Sequence, residues 1–320
     1  MTTLAKGTAP GRVVVLAGGV GGSKLADGLQ ALVGDRLTVI VNTADDTERY
    51  GLSVSPDHDT VMYTLGGLAD AEQGWGIHGE TYAAAGMLAR LGEETWFRLG
   101  DQDLAVHIVR TRRVRAGDRP TTVALDLQEA LGVRAAILPM ADAPVRTEVR
   151  TDDGWLDFQD YFVRRHQAPD VRGLRFQGIE VSAPTPEVVA AIATAEVIVI
   201  GPSNPLVSIG PILAVPGLRE QIVRAAARGL PVVAVSGIIG GRAVRGPADR
   251  MLASLGHEPT ALGVARLYAG IAGTFVLDRQ DADLAPRVAE LGLRPVLAEA
   301  LMTDAPGRRR LAADVLAAVG

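Results

Sequence analysis

Arg12-Val13-Val14-Val15-Leu16-Ala17 runs directly into Gly18-Gly19-Val20-Gly21-Gly22-Ser23-Lys24. A short apolar run rich in β-branched residues, stopped by glycines, is how a strand buried on both faces reads before a tight turn. Residues 23–33 then place Leu25, Leu29 and Leu32 at helical spacing, which predicts a helix with one apolar face. Leu37-Thr38-Val39-Ile40-Val41 is a second apolar run. Strand, helix and strand in that order make a βαβ unit, so the sheet should be parallel with a right-handed crossover.

The same signals continue along the chain. Strands are expected at residues 135–138, 197–200, 231–235 and 274–277, and helices near 82–91, 122–131, 186–193, 218–227 and 248–255. Gly132, Gly229 and Gly256 sit where left-handed residues close helices. The expected fold class is therefore α/β, with a mostly parallel sheet and helices on both faces. Residues 147–181 differ: they are more polar and hold Trp155, Phe158, Tyr161, Phe162 and Phe176. Alternation around Asp153-Gly154 predicts a hairpin. This stretch reads as a small inserted α+β subdomain between two core halves, residues 1–146 and 182–320.

Composition narrows the class. Of 320 residues, 48% are hydrophobic and only 4% aromatic, so a sizeable core must be built mainly from aliphatic side chains. A net charge of -5 lacks the basic surplus of a nucleic-acid binder. The absence of cysteine removes disulfides, thiolate catalysis and cysteine-based zinc sites. Five scattered histidines do not make a histidine-built metal site, so any metal should be a hard cation on carboxylates. Met1–Gly7 shows no signal core, and the longest apolar runs are strand-sized. A cytoplasmic protein without membrane or nucleic-acid partners is the expectation.

Several segments carry candidate chemistry. The glycine loop lies between a strand and a helix, where backbone N–H groups and the helix N-terminus favour an anion. It fails two standard patterns. G-x-G-x-x-G begun at Gly19 would need glycine at Lys24, and a P-loop would need Gly-Lys-Ser/Thr rather than Gly22-Ser23-Lys24. Phosphate binding is favoured over a purely structural turn because Lys24 adds a cation. Asn42-Thr43-Ala44-Asp45-Asp46 follows the second strand at its carboxyl end, where open α/β sheets place ligands, or is simply a polar loop with an Asx turn. In Ser55-Pro56-Asp57-His58-Asp59-Thr60, Asp57 and Asp59 could converge with Asp45 around Mg²⁺, or an aspartate could cap a helix beginning near Thr60. Residues 201–211, GPSNPLVSIGP, follow the strand VIVI and read as a ligand loop stiffened by prolines. In residues 98–103, RLGDQD, charges precede His107 and Arg110, which share a helical face if a helix forms there; a solvated loop explains them equally.

Taken in order, these segments resemble a known family. They are LAGGVGGSKLADGL (16–29), VIVNTADD (39–46), SPDHDTVMYTLGG (55–67), WGIHGET (75–81), WFRLGDQDLAVHIVR (96–110), ILPMAD (137–142), FQDYFV (158–163), IGPSNPLVSIGPIL (200–213), SGIIGG (236–241) and LMTD (301–304). Together they are similar to the 2-phospho-L-lactate and phosphoenolpyruvate transferases of coenzyme F-420 biosynthesis. The resemblance implies a Rossmann-like core, Mg²⁺ dependence and a homodimer. It implies transfer of a phospho-acid from a guanylylated diphosphate donor to the ribityl hydroxyl of the deazaflavin Fo, with release of GMP. By the same resemblance Asp45 and Asp57 hold Mg²⁺, and Asp59 and Arg98 contact Fo. Asp45, Asp57 and Asp59 are the expected catalytic carboxylates, Asp59 orienting the hydroxyl or accepting its proton. Gly18, Gly19, Gly21, Gly22 and Lys24, with Gly201, Ser203, Asn204 and Ser208, are the expected nucleotide cradle. Gly237 departs from the family, where relatives often carry proline, and this makes its loop less rigid. Two rivals are a nucleotide-binding regulator of similar fold and an NAD-dependent oxidoreductase; the failed G-x-G-x-x-G disfavours the second.

Overall fold

The computed structural model describes residues 11–319; Met1–Gly7, read above for a signal core, lies outside them. The opening unit is β1 (Val13–Ala17), α1 (Gly19–Val33) and β2 (Leu37–Val41). A short hairpin of β3 (Thr47–Arg49) and β4 (Leu52–Val54) leads into α2 (Pro56–Leu65). Then come α3 (Ala83–Arg90), α4 (Asp101–Arg115), α5 (Pro120–Ala130) and β5 (Ala136–Pro139). β6 (Arg146–Thr151), β7 (Gly154–Asp157) and β8 (Gly173–Gln177) make a separate antiparallel sheet in the order β7-β6-β8. The chain returns through α6 (Pro186–Thr194), β9 (Val197–Ile200), α7 (Ile209–Ala214), α8 (Leu218–Ala227) and β10 (Val232–Val235). It ends with the ribbon β11 (Ile238–Ile239) and β12 (Arg242–Ala243), α9 (Ala248–Ser254), α10 (Ala261–Tyr268), β13 (Thr274–Asp278), α11 (Ala285–Glu290), β14 (Arg294–Ala298) and α12 (Ala305–Ala317).

The central sheet has seven strands in the order β14-β13-β10-β9-β1-β2-β5, and every neighbouring pair is parallel. From β1 the chain moves outward to β2 and β5. It then returns to the other side of β1 with β9 and moves outward again. The strand order therefore reverses between β1 and β9, the switch point at whose carboxyl end open α/β sheets bind ligands.

Period-two alternation splits β1 between two cores. Val14 and Leu16 join Ile198, Ile200 and the inner faces of α6, α7, α8 and α10. Val13, Val15 and Ala17 join Leu25 and Leu29 of α1, Val61 and Met62 of α2, and Leu311 and Val315 of α12. Helices thus cover both faces, as expected of a Rossmann-like α/β protein. No described helix is long and apolar enough to cross a membrane.

Some boundaries differ from the sequence reading, for physical reasons. α1 begins at Gly19, so the glycine run is the first helical turn rather than a loop before it. α2 begins at Pro56, a residue pre-set for a first turn, which brings Asp57 and Asp59 inside the helix. β14 was not expected, because Arg294 and Pro295 interrupt its apolar pattern; it is an edge strand, where proline is tolerated.

The mean glycine cost within helices yields one stability prediction. Gly86 is exposed inside α3, and a methyl there would meet nothing within 4 Å. Gly86→Ala should stabilise the protein by about 0.5–1 kcal/mol, read as a higher urea midpoint with unchanged slope. A lower midpoint would refute the open surroundings.

Candidate active site

Two loops close on each other across the switch point. The Gly18 N–H donates to Ser203 Oγ at 3.0 Å, and Ser203 Oγ donates back to the Gly18 carbonyl at 2.8 Å. The Gly201 N–H donates to Leu16 O at 3.0 Å. A methyl at Gly22 would overlap Ser203 Oγ, and one at Gly21 would sit 2.5 Å from the Pro202 carbonyl. The N-cap residue Gly18 has no side chain to cap α1, and the first turn carries no acidic residue of its own; the Gly19 amide donates to the Asp57 carboxylate. The N-terminal amides of this turn are suited to an anion.

Several expected cradle residues prove to hold the loops themselves. Ser203 is committed to Gly18. Asn204 Oδ1 accepts from the Leu206 and Val207 amides at 2.9 and 3.4 Å, while its amide nitrogen reaches Met251 Sδ at 3.6 Å. Ser208 is buried, its Cβ 2.9 Å from where a Gly18 methyl would lie. Lys24 Nζ donates to Met302 O at 3.1 Å. Partial burial and the charges of Arg308 and Arg245 lower its pKa.

Asp57 lies against the glycine turn: a methyl at Gly18 would overlap its Oδ2, and one at Gly19 would stand 3.5 Å from Oδ1. Asn42 Nδ2 donates to Asp57 Oδ2 at 3.0 Å and to Val207 O at 3.2 Å, while Asn42 Oδ1 accepts from the Ala44 amide at 2.9 Å. One side chain thus ties the end of β2 to α2 and to the 201–211 loop. Burial pushes the Asp57 carboxyl up to about 6. Asp45 is also buried, and its Oδ1 has no hydrogen-bond partner. Burial first, then the neighbouring charge of Asp57, raise the Asp45 pKa well above the usual carboxylate range. Burial pushes Asp46 up to about 7, and its Oδ2 accepts from Ser55 Oγ at 2.9 Å. Two buried, mutually repelling carboxylates at the start of α1, one of them with a bare oxygen, form a donor set that a hard divalent cation fits.

Asp59 has different surroundings. Both its oxygens accept from Arg110, Oδ2 at 3.0 Å from Nη1 and Oδ1 from Nη2. Burial is outweighed by Arg110, with His58 and His107, and the Asp59 carboxyl is held far below the usual range. A carboxylate so stabilised is a weak proton acceptor. The expected proton-accepting role of Asp59 does not suit this environment; holding geometry does. Arg98 is exposed, with its guanidinium 4.2 Å from the Tyr82 ring. It therefore keeps a solvent-facing cation immediately before α4.

Sequence reading passed over Asn42 as a ligand-loop residue with no particular part, and left Asp103, His107 and Arg110 undecided. All three of the latter are buried on α4, at the i, i+4, i+7 spacing that marks one helical face. Beside the hairpin β3–β4, an open cleft of about 640 Å³ is lined by Arg49, Tyr50, Trp96, Phe97, Asp157 and Arg164 among others. Arg49 stacks 4.3 Å from the Trp96 ring.

A parallel α/β sheet with an amide-lined turn and paired buried carboxylates at its switch point places this chain among Rossmann-like α/β proteins with a polar site at the sheet mouth. The family described as 2-phospho-L-lactate transferase CofD matches residues 13–316, and the chain belongs to that family of transferases. It is 44% identical over 316 residues to a phosphoenolpyruvate transferase of Kitasatospora aureofaciens, covering 96% of this chain and 97% of that one. It is 38% identical over 307 residues to a 2-phospho-L-lactate transferase of Methanosarcina mazei, covering 96% of this chain and 100% of that one. A crystal structure of protein BH3568 from Bacillus halodurans shares the fold, with a TM-score of 0.59 at 20% identity over 91% of this chain and 93% of that one.

Proposed function

We propose that this chain transfers a phosphoenolpyruvyl or 2-phospholactyl group from a guanylylated diphosphate donor to the ribityl hydroxyl of the deazaflavin Fo, in coenzyme F-420 biosynthesis. The observation that carries this reading is the pair Asp45 and Asp57, buried beside the glycine turn at Gly18 and Gly19. The family and the names of the two relatives support the same chemistry.

The hydroxyl oxygen of Fo forms a new bond to the phosphorus that carries the acid. The bond from that phosphorus to the bridging oxygen of the guanylate breaks, its electron pair leaves with that oxygen on GMP, and the hydroxyl proton passes to solvent water. Transfer of this kind depends on charge neutralisation and in-line positioning more than on covalent help. Asp45 and Asp57 would hold Mg²⁺, which supplies charge neutralisation at the diphosphate. The turn amides of Gly19, Gly21 and Gly22 and the Lys24 ammonium favour the donor phosphates. Ser203 and Asn204 keep the opposite loop in register, with Gly201 and Ser208 packed beside them. Arg98 contributes a cation toward the acceptor. The cleft at Trp96 and Phe97 has aromatic walls for a planar ring, with Arg49 and Arg164 set among the carboxylates of Glu48, Glu93, Glu94, Asp157 and Asp160. The protein works as a homodimer in this reading.

The test is incubation of the protein with Fo, Mg²⁺ and, separately, the guanylylated forms of phosphoenolpyruvate, 2-phospholactate and 3-phosphoglycerate, followed by mass spectrometry. A phosphodiester of Fo together with GMP is expected for at least one donor. Guanine-nucleotide binding without a phosphodiester from any donor would favour a regulatory nucleotide-binding protein instead.

A further inference from the structure

The first turn of α2 is gripped from two sides. Residues two apart on a helix point about 200° apart, so Asp57 and Asp59 leave α2 in nearly opposite directions. Asp57 meets Asn42 and the glycine turn, whereas Asp59 meets Arg110 on α4. Ser55, the residue before the helix, makes no cap bond and donates instead to Asp46. Side contacts, rather than a cap, therefore fix this turn.

The α4 contacts form a polar zipper with two hydrogen-bonded ends, Arg110 on Asp59 and Asp103 on Tyr63. Arg110 donates through Nη1 and Nη2 to Asp59, and its Nη1 is 3.4 Å from the Ser53 carbonyl of β4. Its Nη1 also lies 3.1 Å from His107 Nδ1. His107 Nε2 makes no hydrogen bond and lies 3.2 Å from Asp103 Oδ1, and that oxygen accepts from Tyr63 Oη at 2.5 Å. Tyr63 is one helical turn beyond Asp59 on α2. The chain of contacts thus leaves α2 at residue 59, runs down α4 and re-enters α2 at residue 63. Arg110 and His107 are buried.

A buried ionic network contributes little net stability, since desolvation offsets attraction, but it accepts only one relative placement of its elements. We infer that Arg110 is a positioning residue, with His107, Asp103 and Tyr63 behind it: the zipper sets the rotation and depth of the first α2 turn, and so the direction in which Asp57 faces the glycine loop. This rests on the transferase reading for its activity consequence. Its structural half, an α2 turn held by α4, stands alone.

The experiment compares wild type, Arg110→Lys and Tyr63→Phe. Lysine keeps the charge but cannot hold both Asp59 oxygens in a fork; phenylalanine cuts the far end of the zipper. Hydrogen exchange is followed at residues 55–60, and kcat and KM are measured with the donor and with Fo. Arg110→Lys should exchange at least tenfold faster at residues 55–60, and its kcat should fall about 30-fold with both KM values within threefold. Tyr63→Phe should show the same pattern at about a third of the kcat effect or less. Unchanged exchange at 55–60 in a folded Arg110→Lys protein would overturn the inference. So would a rise in the KM for Fo with kcat intact, which would make Arg110 part of acceptor binding. Should Arg110→Lys fail to fold, Tyr63→Phe decides: faster exchange with lower kcat upholds the zipper, and wild-type behaviour in both overturns it. Wild type that makes no product with any donor sinks the transferase reading and leaves the exchange comparison to decide the positioning.

Discussion

Asp57→Asn should lower turnover about a thousandfold while leaving the protein at least as stable as wild type at pH 8. The two halves come from one fact, the burial of a carboxylate against the amides of the glycine turn. Loss of a single preorganised electrostatic contact in a site of this type costs about 10²–10³ in rate, and Asp57 is half of the pair proposed to hold the metal. The stability half follows from linkage. The Asp57 carboxyl is raised to about 6 from an ordinary value of 3.8, so the folded protein holds this proton more tightly than the unfolded chain. Stability attached to the group is then fully present below about pH 4 and is lost as pH rises through about 6. At pH 8 wild type carries the cost of an ionised buried carboxylate, on the order of 3 kcal/mol, and an amide does not. The asparagine oxygen can still accept from Asn42; its amide nitrogen then faces the Gly19 N–H that the carboxylate accepts from, a donor against a donor, which offsets part but not all of the gain from removing the charge. Melting temperatures of both proteins at pH 5 and pH 8 check this: the advantage of the variant should be larger at pH 8. Added Mg²⁺ should raise the melting temperature of wild type, by mass action on the folded state, and leave the variant unmoved. Wild-type turnover in the variant would remove Asp57 from the site. An equal stability difference at both pH values would refute the burial argument.

The half of the site written in consecutive residues was legible in the sequence, and the half made between helices was not. A β-branched run stopped by glycines places the glycine turn directly, because strand, turn and helix start are all local. The loop after β9 was legible for the same reason. The Asp59–Arg110 contact joins residues 51 apart. Arg112, Arg113 and Arg115 surround Arg110 with charge, so α4 reads as a solvated stretch until the fold sets it beside α2. Ser203 and Asn204 were identifiable as ligand-loop residue types, yet their side chains serve the loop itself, and sequence spacing carries no sign of that choice. The start of α1 was misplaced for an instructive reason. Four glycines oppose helix formation by about 1 kcal/mol each, and only close tertiary contacts at Gly21, Gly22 and Gly28 explain why the helix tolerates them. The departure at Gly237 has a similar account: a methyl there would lie 2.9 Å from the Pro202 carbonyl, so this chain packs the loop after β10 closely under the one after β9.

Gly21→Ala is the substitution that tests whether the two loops truly clasp, and its effect should be large on both stability and rate. The added methyl would stand 2.5 Å from Pro202 O and 3.4 Å from Pro202 C. Neither atom belongs to a side chain that can swing away. Proline fixes its own φ, and the preceding Gly201 is bonded to Leu16 O. Relief therefore requires the 201–211 loop to move off the glycine turn by several tenths of an ångström. That shift strains the paired Gly18–Ser203 bonds and pulls on Val207, which Asn42 links to Asp57. Overpacking of this kind costs about 1–3 kcal/mol, and a misplacement approaching 1 Å at the reacting groups costs about a hundredfold in kcat/KM. Gly19→Ala provides the contrast. Gly19 has φ of 58°, so alanine there is strained by about 1–2 kcal/mol, but its methyl would meet Asp57 Oδ1 at an ordinary 3.5 Å. If close approach between loops matters more than backbone freedom, Gly21→Ala should lose far more activity than Gly19→Ala at similar loss of stability. Urea midpoints and kcat/KM for both variants measure this directly. A Gly21→Ala protein with near-wild-type kcat/KM would mean that the amide-lined turn works without the opposite loop, and that the two halves of the sheet mouth act independently.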